Sequence, residues 1–251
     1  MIFTIPDLSS PAFWAALWKI IVANIILSGD NAVVIAMACH NLSDRYRRPA
    51  ILFGSAGAIV LRIVFCAVIG LLLAIPYLKL VGGALLLWIG VKLLVDEDDE
   101  AKIKAHDNIW AAIWTIIVAD AVMSLDNAIA IAAAAKGDFT LITIGLVISI
   151  PIIVLGATLI SRVLDRFPWL GLVGAALIGW IAGEVMAGEG RLDQVDASGH
   201  LVELVRPGTI ADWLDHMVPH AETICAALGA GFVVLVGLLI ARLYSRQTEK
   251  G

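Results

Sequence analysis

The chain has 251 residues, 61% of them hydrophobic and 16% charged, and its mean hydropathy is +0.94. Soluble domains run about 45–50% apolar and about 25% charged, so composition argues against a soluble globular fold. The net charge of −5, with no basic cluster larger than Arg45, Arg47 and Arg48, gives no footing for a nucleic-acid partner.

The apolar excess comes in runs of about 20 residues, the length that crosses a hydrocarbon core about 30 Å thick. The N-terminus, MIFTIPDLSSPAF, lacks the basic region and small-residue cleavage site of a signal peptide, so the first run is expected in the mature protein. Seven membrane helices are predicted, near residues 12–39, 50–75, 77–95, 109–135, 140–164, 168–187 and 219–243. Pro11, Pro49, Pro76, Pro168 and Pro219 mark helix starts, whereas Pro151 falls inside the fifth span and predicts a kink. Ile75-Pro76-Tyr77 predicts a tight helical hairpin. An acidic loop at 96–107 and a polar loop at 188–218 join the later spans, the second expected as a small surface excursion. With the N-terminus outside, eleven Lys and Arg fall on the inner side against four on the outer, Lys79, Lys136, Arg191 and Arg206. That asymmetry predicts an inner-membrane protein with its N-terminus outside and its C-terminus in the cytoplasm.

A shift of 96 residues aligns the first and fourth spans, with 15 of 27 positions identical over 14–40. Trp14-Ala-Ala-Leu-Trp matches Trp110-Ala-Ala-Ile-Trp, and Ser28-Gly-Asp-Asn-Ala matches Ser124-Leu-Asp-Asn-Ala. The third and sixth spans align too, through Leu80-Val-Gly-Gly-Ala-Leu and Leu172-Val-Gly-Ala-Ala-Leu. The expected fold is therefore all-α and polytopic. Two three-helix repeats (10–95 and 108–187) are followed by the outer loop and a seventh helix at 219–243. Three spans per repeat force the second copy to enter from the opposite side, the inverted arrangement in which transporter substrate sites lie near the midplane.

The most similar stretches are also the most polar. Asn24, Ser28, Asp30 and Asn31 lie in the first span, and Asp120, Ser124, Asp126 and Asn127 in the fourth. An ionisable side chain at the bilayer centre costs about 2.5–3.5 kcal/mol even on the mildest scale, so three carboxylates there need a reason. Carboxylate and carboxamide oxygens without clustered sulfur or histidine suit Mg²⁺, Ca²⁺ or Mn²⁺. The metal-ligating candidates are Asn24, Asp30, Asn31, Asp120, Asp126 and Asn127, while Ser28 and Ser124 read as helix–helix glue. If both helices were straight, two half-sites would form: Asp30 with Asp120 toward the inner side, and Asp126 with Asn24 toward the outer. Arg62, mid-span in the second helix, needs an anion, and the aspartate cluster is the expected counter-ion partner. Lys92 and Glu184 are read as interfacial, and Trp14, Trp18, Trp110 and Trp114 as interfacial anchors. Asp212, His216 and His220 have a spacing that either chelates a metal or lines an amphipathic turn.

The doubled motif, Asn24-Ile-Ile-Leu-Ser-Gly-Asp-Asn-Ala-Val and Asp120-Ala-Val-Met-Ser-Leu-Asp-Asn-Ala-Ile, resembles the TerC family, particularly its YjbE-type branch. The resemblance covers residues 10–243. It implies manganese efflux and support of exported-protein metalation, with Asp30, Asn31, Asp126, Asn127, Asn24 and Asp120 along the metal path. It narrows a hard divalent cation to Mn²⁺, carried as substrate, with no permanently bound cofactor. The expected function is proton-coupled secondary export, and the alternative is a membrane biogenesis or scaffolding protein. Expected partners are the bilayer and either a second copy or the secretion machinery. No P-loop and no nucleophile–base pair is legible, so neither an ATP-driven pump nor an enzyme is expected.

Overall fold

A computed structural model describes residues 10–72, 75–98, 108–135, 138–195 and 201–248. In chain order the helices are α1 (Pro11–Leu27), α2 (Gly29–His40), α3 (Asp44–Leu72), α4 (Leu78–Asp98), α5 (Ile109–Ala134), α6 (Phe139–Arg166) and α7 (Trp169–Ala187). An antiparallel hairpin of β1 (Arg191–Val195) and β2 (Leu201–Val205) follows, then α8 (Ile210–Met217) and α9 (Ala221–Thr248). Among the described residues five helices, α3, α4, α6, α7 and α9, are long and apolar enough to cross a bilayer, and the pair α1/α2 makes a sixth if it is one broken span. Helix α5 is apolar over Ile109–Leu125.

The structure departs from the sequence reading at several points. The first span is not one helix: α1 and α2 meet at a 52° bend. Ser28, at the joint, has φ −117° and ψ 10°, outside helical values. Gly29 follows it, and glycine favours a helix interior by about 1 kcal/mol less than alanine. In α5 the matching position is Leu125, and that helix runs through unbroken. Helix α3 starts at Asp44 rather than after Pro49, because the Ser43 carbonyl accepts the first-turn amides of Tyr46 and Arg47. Helix α6 holds Pro151 in its interior, where the sequence placed it. Within 188–218 the described residues form the hairpin and α8, an ordered excursion beside an otherwise helical fold. The acidic loop at 99–107 lies outside the described residues.

Packing places the apolar core in two connected groups. Ile20, Ile51, Ile116, Ile142 and Leu146 fill the space among α1, α3, α5 and α6. Met37, Leu86, Met123, Ile178 and Val233 fill that among α2, α4, α5, α7 and α9. Helices α7 and α9 approach so closely that a methyl group on Gly183 would strike the Cys225 carbonyl, and one on Gly229 the Gly179 carbonyl. Close approach through small residues is how membrane helices gain packing where burial in lipid supplies no hydrophobic drive. The outward faces carry Val60, Leu71, Val81, Leu155, Leu228 and Leu235, all exposed. Arg62, Asn24 and Asp120 are buried. Apolar outside and polar inside is the arrangement a lipid solvent selects.

Candidate cation site

The break between α1 and α2 falls within the first motif copy. Asn24 is on the last turns of α1, Ser28 is the joint, and Asp30 and Asn31 occupy the first turn of α2. On unbroken α5 lie Asp120, Ser124 and Asn127. The two copies make the same local contact: Ser28 Oγ donates to Asn24 Oδ1 at 3.3 Å, and Ser124 Oγ to Asp120 Oδ2 at 3.0 Å. The break also leaves helix-end carbonyls without intrahelical partners. Asn127 answers one of them, its Nδ2 donating to the Leu27 carbonyl at 3.0 Å. Asn31 Nδ2 crosses to Asp120 Oδ1 at 2.6 Å and ties α2 to α5.

Arg62 enters from α3 and joins the two copies. It is 1% exposed. Its Nη2 donates to Asp120 Oδ1 at 2.5 Å and its Nε to Ser124 Oγ at 2.8 Å. Its Nη1 donates to Asn24 Oδ1 and Ser28 Oγ, both at 2.7 Å. One guanidinium thus holds the homologous polar pairs of both motif copies, and the carboxylate–guanidinium pair neutralises both charges.

Beside this closed cluster is an open one. Asp30 and Asn127 border a cavity of about 330 Å³ that extends to Glu184 at the end of α7 and Glu222 at the start of α9, with Lys79 and Arg191 on its walls. It opens on the hairpin side of the bundle. Asp30 Oδ1 accepts the Asn31 backbone amide at 2.8 Å. Asn31 Oδ1 is buried without a hydrogen-bond partner, as is Asn24 Nδ2. An orphaned acceptor beside a carboxylate is a ready oxygen ligand, and buried polar atoms of this kind call for an explanation.

The structure therefore brings Asn24, Asn31, Asp120 and Arg62 together and sets Asp30 and Asn127 on the cavity. It overturns the straight-helix geometry behind the two half-sites. Asn31 rather than Asp30 makes the hydrogen bond to Asp120, and Arg62 and Ser28 take the Asn24 oxygen. The Asp126 side chain, though its backbone is in α5, lies outside the described residues. Lys92 stands over the Trp88 ring, its Nζ 5.5 Å from the centroid. Trp14, Trp18, Trp110 and Trp114 are all exposed.

The cavity walls went unrecognised in the sequence. Glu184, read as interfacial, and Glu222 sit at helix ends, where sequence alone makes a carboxylate look solvated. Arg191 Nη1 pairs with Glu222 at 2.6 Å and Nη2 with Asp215 at 2.5 Å, tying the hairpin to α8 and α9. Glu189 accepts the backbone amides of Tyr77 and Lys79, each at 3.0 Å, and so holds the turn where Tyr77 takes φ 62°. Asp212, His216 and His220 do not form a chelating row, because α8 ends at Met217 and His220 sits in a turn at φ 61°. His216 Nδ1 instead contacts the Asp212 carbonyl at 2.7 Å, which, with the Asp212 carboxylate, raises its pKa. Among the described residues no group of three or more His, Cys, Asp or Glu side chains is placed to hold a metal. Any cation on the Asp30 side must draw on carboxamide oxygens as well.

A polytopic helical bundle with an apolar exterior, a broken helix and a charged interior cluster defines an integral membrane protein. The chain belongs to the integral membrane protein TerC family, whose model matches residues 9–250. It is 37% identical to the membrane protein YjbE of Bacillus subtilis, over 94% of this chain and 97% of that one. It is 26% identical to YceF of the same organism over 70% of this chain and 72% of that one. With the inner membrane protein YoaE of Escherichia coli it shares 24% identity over 64% of this chain and 35% of the relative. No solved structure matches it.

Proposed function

We propose that the chain is a secondary transporter of the cytoplasmic membrane that exports a hard divalent cation, Mn²⁺ by family resemblance, in exchange for protons. The observation that carries this reading is the broken α1/α2 helix. Its joint presents Asp30 to a cavity that opens to one side, while Arg62 closes off Asp120 behind it. Discontinuous helices near the midplane, with freed carbonyls and side-chain oxygens, are a recurrent way to coordinate ions in transporters.

The pattern of neighbours agrees with an inverted repeat. Helices α1 and α2 pack on α6, α3 packs on α5, and α4 packs on α7. Exchanging a unit of α1–α4 with one of α5–α7 about a two-fold axis maps each of these contacts onto another or onto itself. In the proposed cycle Asp30, Asn31 Oδ1 and Asn127 take the cation, and Asp126 completes the set. Arg62 is a tethered cation that keeps Asp120 neutralised when the substrate is absent. Carboxylates left by the ion accept protons for the return. With the N-terminus outside, the cavity faces outward and is the release path.

One observation favours the scaffolding alternative: the hydrogen bonds among Asn24, Ser28, Arg62, Asp120 and Ser124 are also what helix-joining contacts would make. Flux decides between the two. Purified protein in liposomes, with a Mn²⁺-sensitive dye and an imposed pH gradient, should move Mn²⁺. Asp30→Asn should slow it about tenfold or more through loss of a charged ligand. An inert wild type that is folded, in every gradient and orientation, would leave the scaffold as the function.

A further inference from the structure

The bundle carries a second cavity, of about 440 Å³, at the end away from the hairpin, between the start of α3 and the end of α6. Its lining includes Arg47, Arg48 and Arg162 with Asp165 as the acid, together with the hydroxyls of Thr158 and Ser161. The acid is already committed. Arg47 Nη1 donates to Asp165 Oδ2 at 2.6 Å, and His40 Nδ1 lies 3.3 Å from Asp165 Oδ1. Arg47 Nη2 is taken by the His40 carbonyl at 2.8 Å. No hydrogen bond or ion pair among the described residues engages Arg48 or Arg162. Ser161 is 1% exposed, yet its Oγ has no hydrogen-bond partner.

Among the described residues, two guanidinium groups with no paired acid and one buried hydroxyl with no hydrogen-bond partner converge on a single space. The guanidinium fork matches phosphate, which also accepts from a hydroxyl. We propose that this cavity binds a phosphate group, either that of an anionic phospholipid headgroup or a free phosphate ion. Leu155 and Leu159, exposed two turns and one turn before Arg162, and Leu52 beside Arg48 continue the cavity onto an apolar surface. That arrangement suits a lipid, whose chains would lie along α6 and α3. Basic pockets between membrane helices on the cytoplasmic side are where acidic headgroups bind.

The full chain purified in neutral detergent supplies the test. Native mass spectrometry would compare wild type with the double variant Arg48→Gln/Arg162→Gln. Both side chains are exposed, so neither change disturbs the core. Wild type should retain phosphatidylglycerol through washing that strips phosphatidylcholine. The double variant should bind it about 25-fold more weakly, about fivefold for each arginine lost. Arginine-dependent binding of inorganic phosphate instead would identify the free ion as the ligand and still support the site. Thr158→Phe keeps every charge but fills the space, and it should weaken binding as well. Undiminished binding to that variant, while it stays monodisperse, would mean diffuse surface attraction and overturn the proposal. So would equal binding of both probes to wild type and the double variant, or binding of neither.

Discussion

Four hydrogen bonds leave the Arg62 guanidinium, and each ends on a residue of the doubled motif. A buried ion pair adds little net stability over a well-packed apolar pair, but breaking it from one side costs about 3–5 kcal/mol because a charge is left stranded. Asp120→Asn and Arg62→Met should therefore each destabilise the protein by about that amount, while the double variant recovers most of the loss. Denaturation in micelles, run as a double-mutant cycle, measures this, and additive losses would mean the charges are not coupled. That Arg62 needs an anion was legible, since an arginine at that depth rarely lacks one. Its choice of Asp120 was not legible, because it depends on where α2 points after the bend. The same bend removes the straight-helix premise of the half-sites, in which Asp30 lies about 9 Å beyond Asn24 along one axis.

At the scale of elements, the difference between the two motif copies comes down to Gly29 against Leu125. A Cβ built on Gly29 meets nothing within 4 Å, so the glycine is not there to make room. Its effect is on the backbone, where it lowers the cost of leaving the helix. Gly29→Ala should favour a continuous helix by about 1 kcal/mol. The expected outcome is a melting temperature unchanged or raised and a Mn²⁺ flux reduced; flux at the wild-type rate would show that the break need not be held open. The sequence announced the long apolar helices because runs of that length allow one structure in a bilayer. It did not announce the hairpin or α8. Residues 188–218 mix charged and apolar side chains at no steady period, and β1 and β2 are defined by pairing with each other rather than by local propensity. The start of α3 was missed for a similar reason: Pro49 looks like a boundary, but the Ser43 carbonyl organises the turn before it.

Across the whole molecule, the composition already separated a lipid-facing exterior from a polar interior, and the repeated motif indicated which elements would meet. The cavity between Asp30 and Glu222 could not be read that way, because its walls come from α2, α4, α5, α7, the hairpin and α9 at once. The neutral Arg62–Asp120 pair has one more consequence, an electrical one. Moving a unit charge across a membrane held at 100 mV involves about 2.3 kcal/mol of work. A pair whose charges cancel adds nothing to that work if it shifts as a unit during the cycle. The response of Mn²⁺ flux to a clamped potassium diffusion potential then counts only the cargo. A flat response corresponds to two protons inward for each divalent ion outward. A flux slowed by an inside-negative potential reveals how many positive charges leave uncompensated.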